Sequence, residues 1–155
     1  MFFSTATLTI ALTRQLGINY LASKALMGIS GVTDNFRNYL NSRGLEFIIC
    51  RVTSNPSSLD LEIVKEYQEA MKKSIYGVPF LVIAFQGYLT ASVLIDALEK
   101  TKEFTPQALI AYFENIKNYN FKGIMLNFDP KTCELLHDVW IDTGTGPWIH
   151  VKEES

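Results

Sequence analysis

The 155-residue chain is 48% hydrophobic and carries 14 basic against 16 acidic residues. Both signs are scattered and no Lys/Arg-rich run occurs, which argues against a nucleic-acid partner; the apolar content argues against intrinsic disorder. Cys50 and Cys133 lie far apart, with no Cys-x-x-Cys and no nearby His, so a zinc site is not expected.

In chain order, Met1 to Phe3 read as the end of a strand, and Ser4 and Thr5 as caps of a helix running to about Leu16. Leu8, Ala11, Leu12 and Leu16 give that helix one apolar face, and Gly17 stops it. The opening stretch has no basic n-region and no small-residue cleavage site, so it does not read as a signal peptide. "ALMGI" (25–29) reads as a short buried strand and "SGVTD" as a loop. Thr33 or Asp34 caps a helix that buries Phe36, Tyr39 and Leu40. "LEFIICRV" (45–52) is the clearest strand, a continuous apolar run between turn-forming flanks.

A helix from about Leu59 to Lys73 should bury Ile63, Val64, Tyr67 and Met71. A second, from about Phe80 to Lys100, is long enough to suggest a membrane span, but Gln86, Thr90, Ser92 and Asp96 interrupt it. It reads better as a helix buried against a sheet. Thr105-Pro106 starts a third helix, by a capping hydroxyl and a proline at the first helical position, and Leu109, Ile110, Phe113 and Ile116 should face its core. Three strand candidates close the chain: "KGIMLNF", "LLHDVWI" and "PWIHV". Alternating strand and helix predict an α/β fold, a parallel sheet with flanking helices in three layers and a closing β-hairpin at the C-terminus. Ligands of such sheets bind at the carboxyl ends of the strands, here "FFSTAT" and "GISGVTD".

Two motifs suggest catalysis. Ile141-Asp142-Thr143-Gly144 has the look of an aspartic-protease motif, which makes an aspartic-type hydrolase using Asp142 one alternative. Such enzymes are all-β, need two carboxylates sharing a proton, and carry most of the lobe after the motif, whereas only Thr145 to Ser155 follow here. "DTGTGP" between two strand-like runs reads as a turn. "GISG" around Ser30 lacks the Gly-x-Ser-x-Gly spacing of a nucleophile elbow, and His137 and His150 both lie in the tail. No phosphate-cradling glycine motif is present, and neither an enzyme nor a cofactor is predicted.

"LGINYLASKALMGISGVTDNF", "GLEFIICRVTSNPSSLDLEIVKEYQEAM" and "FQGYLTASVLIDAL" occur in that order. "FKGIMLNFDPKTCELLHDVWIDTGTGPW" then closes the series, with Gly87-Tyr88 and Trp148 as its signposts. In this order the segments resemble the periplasmic-binding-protein type I family, nearest to the branched-chain amino acid receptors of ABC transporters, over the C-terminal part only. The resemblance implies a single compact unit, with 1–56 and 135–155 like lobe two of such a receptor and 57–134 like lobe one. It implies a non-catalytic solute-binding component for amino acids or similar small polar solutes, a permease partner and a periplasmic location. A truncated chain of this kind would leave apolar surface through which it self-associates, and a binding-incompetent fragment is the alternative reading. Ser4, Thr5, Ser30, Thr33, Phe85 and Gln86 are the implied ligand-binding residues. The resemblance puts a glutamate that faces a substrate ammonium at the position of Ser30, and a serine cannot supply that charge.

Overall fold

The computed structural model describes residues 6–31, 34–74 and 80–151. The predicted first strand and the residues Ser4, Thr5 and Thr33 lie outside the described residues. The chain divides into two compact units, one of Met1–Ser54 with Asp138–Ser155 and one of Asn55–His137.

In the first unit, α1 (Ala6–Leu16) and α2 (Ile18–Ala22) precede β1 (Met27–Ile29), α3 (Asp34–Asn41) and β2 (Ile48–Arg51). Gly17, at φ +78°, turns the chain between α1 and α2. β1 and β2 pair in parallel, Met27 opposite Ile48 and Ile29 opposite Cys50. The tail returns as β5 (Val139–Asp142) and β6 (Ile149–Val151), a hairpin whose first strand pairs antiparallel with β2, Cys50 opposite Ile141. The sheet order is thus β1-β2-β5-β6. The core beneath it joins Leu21, Leu26, Phe36, Leu40, Phe47 and Ile49, all at 7% exposure or less. The predicted apolar face of α1 is only partly met. Ala11 and Leu16 are exposed, while Thr13 is buried and Ile10 packs on the core.

In the second unit, α4 (Glu62–Lys73), α5 (Val82–Lys100) and α6 (Pro106–Glu114) precede a two-stranded hairpin of β3 (Tyr119–Phe121) and β4 (Ile124–Leu126). Ile63, Val64 and Tyr67 bury the expected stripe of α4, with Phe85, Leu89, Phe121 and Leu126 around them. Ser58 and Asp60 form a turn ahead of α4 and do not cap it; the helix begins at Glu62. Thr105 does cap α6, its hydroxyl oxygen accepting the N–H of Ala108 at 3.2 Å. Two expectations of burial fail here. Ile110 is 56% exposed, and α5 buries only Phe85, Leu89 and Ala97 of its 19 residues.

Candidate functional site

The parallel pair β1–β2 ends with its carboxyl edges side by side, since Ile29 lies opposite Cys50. This is where ligands of open α/β sheets bind. Ser30 closes the edge. Its hydroxyl donates to the carbonyl of Cys50 at 3.2 Å and accepts the N–H of Val52 at 3.2 Å. Just past β2, Thr53 and Ser54 are 5% and 4% exposed, and their hydroxyl oxygens have no hydrogen-bond partner among the described residues. Buried polar atoms are nearly always satisfied, so two orphan hydroxyls at a strand end are unusual.

Beside this edge stands a cluster of four charges. Arg37 of α3 grips Asp142 of β5 with both terminal nitrogens, at 2.6 and 2.7 Å. Arg51 of β2 reaches the same carboxylate from Nη2 at 3.0 Å and from Nε at 3.3 Å. Asp34, the first residue of α3, accepts from Arg37 at 2.6 Å and Arg51 at 2.9 Å. Asp34 is the exposed member; the side chains of Arg51 and Asp142 are each 4% exposed. The Gly144 N–H donates to Asp142 at 2.9 Å, and the indole of Trp148 lies 5.3 Å below the Arg51 guanidinium. Two cations and two anions balance, which is the condition for burying them.

This geometry decides the chemistry of Asp142. Burial pushes its carboxyl up, but the hydrogen bonds from Arg37, the Gly144 N–H and Arg51 together outweigh burial and hold it below the ordinary carboxylate range. Arg37 is pushed up in turn, mainly by its bond to Asp142 and against the opposing effect of its own burial. A carboxylate clamped by two guanidiniums cannot share a proton with a second carboxyl, so it does not do the chemistry of an aspartic protease. The expected turn role of Asp142 is present in its bond to Gly144, but its larger role is that of an ion-pair hub. The Ser30 hydroxyl is aimed at a carbonyl and not at an imidazole. His150 stacks on Trp140 with ring centroids 4.1 Å apart, and its Nε2 lies 3.1 Å from Asp138 without the alignment of a hydrogen bond.

The remaining sequence candidates sit in the second unit. Phe85 has no exposed surface and packs its ring 5.2 Å from that of Tyr67, as core. Gln86 is half-buried, and its backbone carbonyl accepts the Thr90 hydroxyl at 2.9 Å. Thr53, Ser54, Arg37 and Arg51 were not singled out by sequence reasoning. The signal available was the hydroxyl pair in "VTSNP", just past the clearest strand. A surface depression of the first unit, about 730 Å³ and lined by Thr13, Tyr20, Tyr39 and Arg43 among others, includes none of the strand-end residues.

No protein-family model matches the sequence, and no curated protein matches it. Solved structures do match. An extracellular ligand-binding receptor from Verminephrobacter eiseniae superposes with a TM-score of 0.73 at 20% identity, over 90% of this chain and 40% of that one. A possible leucine/isoleucine/valine-binding protein from Rhodopirellula baltica gives 0.67 at 20% identity, over 92% and 38%. A leucine-binding protein from Thermotoga maritima gives 0.64 at 17% identity, over 95% and 41%. This chain therefore spans about two-fifths of the length of the structures it matches. Over that length it has the mixed α/β fold of type I periplasmic binding proteins, matched over part of their chains.

Proposed function

We propose that the chain is a non-catalytic solute-binding component, of the kind that serves an ABC transporter for amino acids or similar small polar solutes. The observation that carries this reading is the superposition of 90% of the chain on a ligand-binding receptor at a TM-score of 0.73. The carboxyl edge of β1–β2 supports it locally, because Thr53 and Ser54 hold two buried hydroxyls with no partner among the described residues. Ser4, Thr5, Ser30, Thr33, Phe85 and Gln86 are the proposed ligand-binding residues, on the family resemblance. Phe85 lies wholly inside the core of the second unit. A permease is the proposed macromolecular partner, and the periplasm the proposed location.

The test is a thermal-shift screen over amino acids, their amides and small carboxylates. A ligand that binds only the native state raises the melting temperature. Absence of a shift with every compound, in a protein with a cooperative unfolding transition, removes the reading.

One observation favours a second reading, a binding-incompetent fragment that self-associates: Ile83, Leu94 and Ile95 on α5 are 73%, 43% and 55% exposed. Sedimentation separates the two, since a monomer at micromolar concentration is incompatible with self-association.

A further inference from the structure

The first unit has a concavity at the end of its sheet opposite the strand-edge site. α3 starts beyond the carboxyl end of β1 and returns the chain to the amino end of β2, so its last turn lies at the amino edge. There the last turns of α1 and α3 border the depression of about 730 Å³, whose lining includes Arg14, Leu16, Ile18, Tyr20, Tyr39 and Arg43. Small-molecule sites typically enclose about 300–1,000 Å³. No carboxylate lines this one. From Ala6 to Leu45 the only acidic residue is Asp34, and its carboxylate is taken by Arg37 and Arg51. Arg14, Arg43 and Lys24, whose ammonium lies 5.1 Å from the centre of the Tyr20 ring, form no ion pair among the described residues. The charge here is positive and uncompensated, which favours an anion.

Arg43 is held in place before any ligand arrives. Its guanidinium lies over the Tyr39 ring, 3.8 Å from the centre. Its Nη1 donates to the Tyr39 carbonyl at 3.1 Å and to the Ser42 hydroxyl oxygen at 3.2 Å. Tyr39 itself packs on the core, beside Phe36. Such anchoring lowers the ordering cost of binding. The carbonyls at the end of α3 account for Nη1, since cations suit a helix C-terminus. They do not account for Nε and Nη2, which have no hydrogen-bond partner among the described residues. These two nitrogens form an edge of the guanidinium suited to a carboxylate; the same two atoms of Arg51 hold Asp142. In the same depression Leu16, Ile18 and Tyr20 are 37%, 40% and 54% exposed and offer apolar surface. We infer that the depression binds a small organic carboxylate with an aromatic or apolar body. The carboxylate is taken by Nε and Nη2 of Arg43, and the body rests on Leu16, Ile18 and Tyr20. An amino acid does not suit the site, because its ammonium would meet cations and no acid. The inference is independent of solute binding at the strand edge, which lies at the other end of the sheet.

NMR titration of the chain with phenylacetate tests it, read at the backbone amides of Ile18 and Tyr20 and at the Arg43 Nε–H. All three signals should move and saturate at millimolar probe. The affinity should weaken at least about tenfold in Arg43→Gln, the loss expected for a charge-assisted hydrogen bond. Arg43→Lys keeps the charge without the fork and should weaken it too, which covers a failure of the first variant to fold. Lys102→Gln, at an exposed position in the second unit, removes the same charge and should leave the affinity unchanged. Phenylacetamide, phenylalanine and inorganic phosphate should each bind more weakly than phenylacetate. Equal binding of any of them overturns the inference, as does equal weakening by Lys102→Gln. The absence of a saturable shift overturns it, and so does a shift confined to the amides of Thr53 and Ser54, which belongs to the strand edge.

Discussion

Arg37 and Asp142, 105 positions apart, are joined by a two-pronged hydrogen bond of 2.6 and 2.7 Å inside the first unit. With Arg51 on the same carboxylate, this contact ties α3, β2 and β5 together at one point. It fixes the hairpin of the chain tail to the parallel pair whose edge is the candidate site.

Asp142→Asn should therefore destabilise the protein severely. The substitution removes one negative charge from beside two buried guanidiniums, and breaking a buried pair in this way costs about 3–5 kcal/mol. Asp34→Asn removes the exposed member of the cluster and should cost less than about 1 kcal/mol. Urea unfolding of the two variants checks the order.

The same carboxylate sets an acid limit. The folded-state pKa of Asp142 lies below its unfolded value, so its contribution is fully present above the unfolded value, about 3.9 for an aspartate. It is lost as pH falls through the depressed folded value. Stability measured against pH should fall below about pH 4 in the native sequence, and that decline should be shallower in Asp142→Asn. Parallel acid curves for the two proteins would show that Asp142 is not the group responsible.

Gly144 and Gly146 separate two costs in the hairpin turn. Both have left-handed backbones, at φ +84° and +75°, where a side chain costs about 1–2 kcal/mol. A Cβ at Gly146 would meet nothing within 4 Å, but at Gly144 it would sit 3.1 Å from Cδ and Nη1 of Arg37. Gly144→Ala should thus destabilise more than Gly146→Ala in thermal unfolding, because it also displaces the guanidinium from Asp142.

Phe85 distinguishes packing from recognition. Phe85→Ala should cost about 3–5 kcal/mol, as for any fully buried aromatic. Phe85→Leu should keep the fold and any ligand response found in the native protein. A lost response in a stable Phe85→Leu variant would return this residue to the binding site.

The legible parts of the fold were those with local causes. Strand β2 stood out as a continuous apolar run between turn formers, and α6 as a Thr-Pro start; both lie where expected. The turn in "DTGTGP" was visible from its glycines and its aspartate. The ion-pair hub was not, because Arg37 and Arg51 lie 105 and 91 positions from Asp142, and periodicity carries no information about partners so distant. The helices α1, α5 and α6 show a related limit. Apolar spacing identifies a face, but what covers that face depends on the rest of the fold, and Ile110 and Leu94 remain exposed. At the candidate site, Ser30 was singled out through the loop after β1, while Thr53 and Ser54 became distinctive only once their hydroxyls proved buried and without a partner among the described residues.

The most direct test of the solute-binding reading is calorimetric titration of the folded chain with leucine, isoleucine, valine and their analogues lacking the α-ammonium group. The reading predicts saturable heat with at least one of them, reduced by Thr53→Ala with Ser54→Ala while the unfolding transition is retained. No heat with any of them, from protein that unfolds cooperatively in the same buffer, would contradict it.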